Sequence, residues 1–238
     1  MSRVPRPSDH IQRSGGAAGP GSVESLYPFL YPGGADPAQV FAQARESTVT
    51  KTREIIELRT EVSVRTSELL ASCARHMAAR FAVNGRLLTF GNGGSATDAQ
   101  EIASLFLFPD DGSPSLPALG LANETSVLTS LANDIGVEVV FARQLAAIGT
   151  PNDIALGLST SGNSENLLRA FDQAKRLGML TIGISGYDGG KMAELTGLDY
   201  LFVAPSSSIH RIQEAQTTIY HILWELVTAE VRINSVIT

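Results

Sequence analysis

Two short polar segments of the chain hold the residues whose types could do chemistry. The glycine loop is residues 91–95 (GNGGS), and the hydroxyl loop is residues 159–164 (STSGNS). Each follows an apolar run and leads into a stretch of helical character. Glycines let backbone N–H groups turn toward an anion, the amino end of a helix adds partial positive charge, and Ser and Thr hydroxyls add neutral donors. Together the two loops indicate a site for a phosphate monoester.

A purely structural role or a nucleotide-binding role for these loops is less well supported. Gly and Ser are common turn and capping residues between a strand and a helix, which would account for one loop. Two such loops, with four hydroxyl residues within residues 159–164, exceed what capping requires. Residues 91–96 also fit the loose dinucleotide pattern G-x-G-x-x-A, but the acidic residue expected after the next strand is poorly placed, at Glu124. Neither loop leads into Gly-Lys-Ser/Thr, so neither is a Walker A motif.

Five short apolar runs predict the strands that position the loops. They are residues 87–90, 118–121, 154–158, 180–184 and 200–203, and helical stretches at residues 126–133, 137–148 and 165–177 lie between most of them. A last helix is predicted at residues 211–232. Strands that are apolar throughout and alternate with helices are typical of a five-stranded parallel sheet covered on both faces, a doubly wound α/β fold. In such a fold ligands bind at the carboxyl ends of the strands, where both loops lie.

The beginning of the chain has a different composition. We expect an N-terminal arm at residues 1–35 and one domain at residues 36–238. Residues 14–21 are rich in Gly, Ala, Pro and Ser and favour flexibility. Residues 26–31 (LYPFLY) are apolar enough to dock on the chain's own surface or on a sister subunit as an ordered arm, and a peptide that binds another protein is the alternative. Asp36 and Pro37 form a helix-start signal, and residues 38–83 contain no Pro or Gly. Because the apolar spacing loses its phase at residues 58–64, we predict two N-terminal helices there.

Composition excludes several classes of protein. The formal net charge of −6 argues against direct nucleic-acid binding, which needs clustered Lys and Arg. The single cysteine, Cys73, excludes an internal disulfide and is expected to be a core thiol. No apolar run is long enough to span a membrane, and the basic N-terminus lacks the apolar core of a signal peptide. These features predict a cytoplasmic protein.

Five segments, in order, resemble the phosphoheptose isomerases, a family of the sugar isomerase (SIS) fold. They are residues 91–95 (GNGGS), 132–134 (AND), 159–164 (STSGNS), 186–190 (GYDGG) and 211–214 (RIQE). The resemblance runs from about residue 40 to residue 232 and extends to a non-catalytic bacterial initiator-associating protein of the same fold. It implies a phosphate on the hydroxyl loop and a sugar reaching toward the glycine loop. The implied contacts are Asn92, Gly93, Ser95, Asp134, Ser159, Thr160, Ser161, Ser164 and Gln213.

The same resemblance implies where proton transfer would occur. An aldose–ketose isomerase moves a proton between adjacent carbons through an enediol, so it needs a base and an acid. The family uses a Glu on the helix after the glycine loop and a His on the final helix, and these positions are Leu105 and His221 here. Glu101 replaces a family metal-ligand His one helical turn from Leu105, and His210 replaces an Asp. The candidate catalytic residues are therefore Glu101, His221 and His210.

Zinc is a feature of many members of the resembling family, which bind it through a His, the catalytic Glu, a Gln and the final His. The donors left at these positions are Glu101, Gln213 and His221. Only one of them is an imidazole, and an amide is a poor zinc ligand. We therefore expect weak zinc binding or none.

Two functions remain open at this stage. The first is a phosphosugar aldose–ketose isomerase acting on sedoheptulose 7-phosphate or a related sugar phosphate. The second is a non-catalytic sugar-phosphate-binding regulatory or scaffold protein, because Leu105 cannot take a proton. The isomerase is favoured, since the retained Gln213 and His221 and the new Glu101 and His210 indicate a rearranged site.

Assembly is predicted from a surplus of apolar residues in the helices that flank the sheet. The surplus lies in residues 37–83 and in the final helix at Tyr220, Leu223, Trp224 and Val227. Closed symmetry would bury such surfaces repeatedly, and the family resemblance implies that these helices pack between subunits. We therefore expect a homotetramer, or at least a homodimer.

Overall fold

The computed structural model of the chain describes residues 37–237, so the predicted arm at residues 1–35 lies outside the described residues. By its internal contacts the chain divides into two units, Met1–Val49 and Thr50–Thr238. The described part of the first unit is the beginning of helix α1 (Pro37–Ala82), and the second unit holds the rest of that helix and the sheet. The predicted boundary at residue 36 stays a prediction.

Helix α1 is one continuous helix of 46 residues, so the prediction of two helices was wrong. No Pro or Gly interrupts it after Pro37, and its residues can therefore continue the hydrogen-bonded ladder throughout. Leu58 and Val62 are the first buried residues among those described in the helix. The change of apolar phase marks the place where one face becomes buried, and it does not mark a break.

A five-stranded parallel sheet forms the centre of the second unit, which confirms the predicted fold class. The strands are β1 (Leu87–Gly91), β2 (Ala118–Gly120), β3 (Ile154–Ser159), β4 (Leu180–Gly186) and β5 (Tyr200–Ala204). Their order is β2-β1-β3-β4-β5, and every neighbouring pair is parallel. β1 pairs with β2 on one side and β3 on the other, so the loops after β1 and β3 lie at the topological switch point, where ligands bind.

Helices cover both faces of this sheet. They are α2 (Gly94–Leu107), α3 (Thr125–Asp134), α4 (Val140–Ile148), α5 (Glu165–Arg176) and α6 (Ile209–Ile237), with 3-10 turns at Val137–Val139 and Gly190–Glu194. Alternate strand residues point to opposite faces, so Leu87 packs with α2 and α6 while Leu88 packs with α4 and α5. The predicted helix at residues 137–148 begins as the first of these 3-10 turns.

Cys73 lies on the buried face of α1 and has no exposed surface. Burial raises the pKa of its thiol far above the usual range, so the thiol stays protonated. The predicted core thiol is confirmed. Within residues 37–237, no helix combines the length and apolar character that crossing a bilayer would require.

Candidate active site

The hydroxyl loop is shaped by its own side chains. Ser159, at the end of β3, is 5% exposed, and its Oγ accepts a hydrogen bond from the Gly162 N–H at 3.1 Å. The same oxygen lies 3.2 Å from Ser164 Oγ, and the Asn163 N–H donates to Ser161 Oγ at 3.2 Å. Among the described residues the Thr160 hydroxyl has no hydrogen-bond partner. These internal hydrogen bonds fix the conformation of the loop, and they leave at least the Thr160 hydroxyl available to bind a ligand.

Ser164 precedes the first residue of α5, but its hydroxyl does not cap that helix. Its backbone carbonyl accepts the N–H groups of Leu167 and Leu168, while the side chain turns toward Ser159. Helix capping by the side chain therefore does not account for the presence of a serine at position 164. The amino end of α5 adds its positive dipole to the loop, which favours an anion there.

The hydroxyl loop is fixed against the turn that follows β4. Gly162 has a φ of 66°, and a Cβ at this position would overlap the Gly189 carbonyl oxygen. The Met192 N–H donates to the Gly162 carbonyl at 3.0 Å, and the Lys191 N–H donates to Asn163 Oδ1 at 3.0 Å. Only glycine fits this close approach of two backbones.

The glycine loop is joined to the hydroxyl loop through two asparagines. Asn92 Nδ2 donates to Asn166 Oδ1, and Asn166 Nδ2 donates to Asn92 Oδ1, both at 2.9 Å. Because Asn166 lies in the first turn of α5, this amide pair ties the ends of β1 and β3 together. The pair already engages both polar atoms of Asn92, so the predicted sugar contact of Asn92 stays a prediction.

Helix α6 runs past both loops. The Gln213 side-chain nitrogen occupies the space where a Cβ on Gly94 would lie, next to Gly93 and the 4% exposed Ser95. Three residues later, the side-chain nitrogen of the fully buried Gln216 lies 3.5 Å from the Ser159 carbonyl oxygen. Gln213 therefore lies beside the glycine loop, and Gln216 connects α6 to the hydroxyl loop. The predicted contact of Gln213 with the substrate stays a prediction.

Glu101 on α2 and His221 on α6 face each other. Glu101 Oε1 lies 3.4 Å from His221 Nε2, and Glu101 Oε2 accepts a hydrogen bond from the Tyr220 hydroxyl at 2.7 Å. The Glu101 and His221 side chains are 48% and 39% exposed, so a ligand can reach both. The structure thus brings together a carboxylate and an imidazole, a pair suited to proton transfer.

Leu105 lies one helical turn after Glu101 on α2. It is partly buried and packs against the apolar cluster that α1, α2 and α6 form on one face of the sheet. Its side chain therefore contributes to the core. The carboxylate that faces His221 belongs to Glu101, one turn earlier on α2.

Asp98 lies one turn before Glu101 on the same helix. Its Oδ2 is fully buried without a hydrogen-bond partner among the described residues. Burial, and secondly the charge of Glu101, raise the pKa of Asp98 to about 6. Two carboxylates thus stand close together, and the buried one retains its proton to unusually high pH.

No described contact joins Asp134 or His210 to these groups. Asp134 is exposed at the end of α3, where it accepts hydrogen bonds from Ser130 and Asn133. His210 is exposed in the first turn of α6. Their predicted roles stay predictions.

A cleft of about 700 Å³ opens beside the hydroxyl loop. Ser161 and Asn163 line one side, and Tyr187, Ser206 and Ser207 line the other. Its lining does not include Glu101 or His221, so this pair lies outside the cleft.

Comparison with known proteins agrees with this geometry. The SIS domain model matches residues 52–186. A phosphoheptose isomerase from Aquifex aeolicus is 42% identical over 183 residues, which cover 74% of this chain and 94% of that protein. The chain belongs to the phosphoheptose isomerase family of SIS-domain proteins. A solved phosphoheptose isomerase from Neisseria gonorrhoeae superposes with a TM-score of 0.73 at 33% identity, covering 78% of this chain and 99% of that one. Another, from Francisella tularensis, gives a TM-score of 0.68 at 31% identity, covering 76% and 98%.

Zinc binding in this member of the SIS-domain family would depend on Glu101, Gln213 and His221. Within the described residues, no three His, Cys, Asp or Glu side chains come together as a possible metal site. One carboxylate, one imidazole and one amide do not fit a tightly held zinc ion, and Glu101 is already engaged by Tyr220. Weak zinc binding stays a prediction.

Four residues described at the site were missed from the sequence, namely Asp98, Asn166, Gln216 and Tyr220. Asn166 and Gln216 lack a motif of their own, and only the topology shows that they touch the loops. Tyr220 was counted among the apolar residues of the final helix, although its position next to His221 could have indicated a polar role.

Proposed function

We propose that this SIS-domain protein is an aldose–ketose isomerase acting on sedoheptulose 7-phosphate or a related sugar phosphate. The observation that carries the proposal is the pairing of Glu101 with His221 on the helix that also contacts both phosphate-type loops. Gln213 and His221 are eight residues apart, which corresponds to about 12 Å along α6. That length suits an open-chain sugar phosphate, with its phosphate near the loops and its carbonyl end near the pair.

Proton transfer then divides between the two side chains. Glu101 as the base removes a proton from the carbon next to the carbonyl, and His221 donates a proton to the carbonyl oxygen. The protonated Glu101 then gives its proton to the former carbonyl carbon of the enediol, while the hydroxyl on the adjacent carbon returns a proton to His221 and becomes the new carbonyl, so no net oxidation occurs. The hydroxyl loop holds the phosphate and thereby fixes the reacting carbons against the pair. His210 is the second candidate for the base.

The proposal is tested by incubating the protein with sugar phosphates of five to seven carbons in deuterated water and following the reaction by NMR. We expect one of them to isomerise and to gain deuterium at the reacting carbon. Glu101→Gln keeps the shape and removes the base, so it should lower kcat by ~100-fold or more. Glu68→Gln, an exposed change on α1, is the matched control and should leave kcat unchanged.

The outcomes separate the candidate roles. Full activity in Glu101→Gln would assign the base to His210 or His221. Binding of a sugar phosphate without turnover by the wild type would overturn the isomerase and support the sugar-phosphate-binding protein.

The protein is further proposed to be a cytoplasmic homotetramer whose N-terminal arm at residues 1–35 is available to a protein partner. Exposed apolar side chains on α1 of the second unit support self-association: Ile56 is 58% exposed and Val64 is 73% exposed. The negative net charge gives no support to nucleic-acid binding.

A further inference from the structure

Tyr220 is almost completely buried, yet its hydroxyl points into the candidate active site. The side chain is 1% exposed, and its hydroxyl donates to Glu101 Oε2 at 2.7 Å. The Thr217 hydroxyl lies farther away, at 3.4 Å, and already donates to the Gln213 carbonyl. The Tyr220 hydroxyl therefore donates its proton to Glu101 and not to Thr217. A hydrogen bond from a buried donor to a carboxylate is strong and directional.

The phenol is a permanent donor. Burial is the largest effect and raises the pKa of Tyr220 above its ordinary value. The Thr217 contact lowers this pKa by less, and the carboxylates Glu101 and Asp98 raise it further. Tyr220 consequently keeps its proton at every pH at which the protein would work. It cannot act as a base, but it can hold Glu101 throughout a reaction.

The geometry leaves Oε1 of Glu101 free of the Tyr220 hydrogen bond, so this oxygen is available to accept a proton. Tyr220 binds Oε2, and Oε1 faces His221 Nε2 at 3.4 Å. The rings of Tyr220 and His221 are stacked, with centroids 5.1 Å apart, so the tyrosine contacts both members of the pair. Asp98 is the further titratable group next to Glu101, and it lies on the same helix.

We infer that Tyr220 is the positioning residue of this site, fixing Glu101 and His221 in the orientation that proton transfer requires. The inference rests on the proposed isomerase function for its kinetic consequence, but not for its structural one. A long Glu side chain that is half exposed samples several rotamers unless it is bound. The Tyr220 bond restrains it, and a misplacement of about 1 Å at a reacting group can cost ~100-fold in rate.

Tyr220→Phe tests the inference, because it removes the hydroxyl and keeps the stacked ring. The matched control is Tyr200→Phe, which removes another buried hydroxyl that contacts Ser72 and His76 on α1. Both proteins should give the circular dichroism spectrum of the wild type. With the sugar phosphate that the wild type converts, Tyr220→Phe should lower kcat by ~10- to 100-fold with less than about 3-fold change in KM.

A second readout is independent of activity. Because Phe preserves the ring stacked on His221, a shift of the His221 side-chain ¹⁵N resonances at fixed pH reports a change in Glu101. We expect this shift in Tyr220→Phe, with the His76 resonances unchanged. Kinetics and His221 resonances equal to the wild type in Tyr220→Phe would overturn the positioning role while the isomerase stands. A wild type that converts no sugar phosphate would remove the proposed function, and the NMR comparison would still decide the role of Tyr220.

Discussion

Individual hydroxyl groups of the hydroxyl loop differ in what they already do. The Thr160 hydroxyl has no partner among the described residues, whereas Ser161 Oγ accepts the Asn163 N–H at 3.2 Å. The loop residues 159–164 contain no Lys or Arg, so a phosphate would be held by neutral donors and the α5 dipole. Such a site depends on the number and direction of its hydrogen bonds more than on charge.

We therefore predict that Thr160→Val combined with Ser161→Ala abolishes stabilisation by sugar phosphates. Hydrogen bonds to a charged group contribute about 1.5–3 kcal/mol each, so affinity should fall by at least ~100-fold. Thermal shift and titration calorimetry measure the loss. Thr66→Val with Ser67→Ala makes the same change on α1, where both hydroxyls bond their own helix, and should bind normally. Wild-type affinity in the loop variant would place the phosphate elsewhere.

Asp98 links the site to the pH dependence of stability. Its pKa is about 6 in the folded chain, against an ordinary value of 3.8. Between these values the folded chain keeps a proton that the unfolded chain has released. The free energy of unfolding therefore falls as the pH rises through this window.

Asp98→Asn keeps the shape of the side chain and cannot ionise. We predict that it is more stable than the wild type at pH 8 by on the order of 1 kcal/mol, after allowance for solvent screening, and equally stable at about pH 4 or below. Urea unfolding at the two pH values measures this difference. Asp172→Asn, exposed on α5, should show no gain at pH 8. A destabilised Asp98→Asn protein at pH 8 would mean that burial does not disfavour the ionised carboxylate.

The helices and strands were more predictable from the sequence than the contacts between them. Uniformly apolar runs such as residues 154–158 and 180–184 predicted strands correctly, because buried parallel strands leave no other pattern. The continuity of α1 was missed because the point where one face becomes buried changes the apolar spacing in the same way as a break would. The Asn92–Asn166 pair and the Tyr220–Glu101 bond join residues 74 and 119 positions apart, and neither distance is encoded in a local pattern.

The junction between the hydroxyl loop and the turn after β4 offers a test at the scale of elements. Gly162→Ala would force a Cβ against the Gly189 carbonyl at a positive φ. We predict a loss of about 1–3 kcal/mol in stability and a loss of sugar-phosphate binding, because the loop must move. Gly112→Ala has a comparable φ of 77° with open space around its Cβ, so it should bind normally. Equal binding by both variants would mean that the loop is not preorganised by this contact.

At the scale of the whole molecule, exposed large apolar side chains occur on several elements, and among the described residues they are most numerous on α1. Tyr220, Leu223, Trp224 and Val227 are all buried by the chain itself, so the predicted surplus of the final helix was wrong. By contrast, Ile56 and Val64 on α1 remain exposed, and α3 has no fully buried residue although it carries Val127. We therefore expect a partner subunit to cover this exposed face of α1.

The proposed homotetramer should have a mass of roughly four times 25.2 kDa by light scattering at micromolar concentration. Ile56→Glu with Val64→Glu places two charges on the exposed apolar face of α1, and we expect it to lower the mass to that of a dimer or monomer. Arg169→Glu changes the net charge by the same amount on α5 and is the matched control. A wild type with the mass of a monomer would exclude the assembly, and a double variant that keeps the wild-type mass would exclude this face of α1 as its interface. Burying an unpaired carboxylate in an interface has a large free-energy cost. The variant could therefore stay assembled only if the subunits contact each other through a different surface.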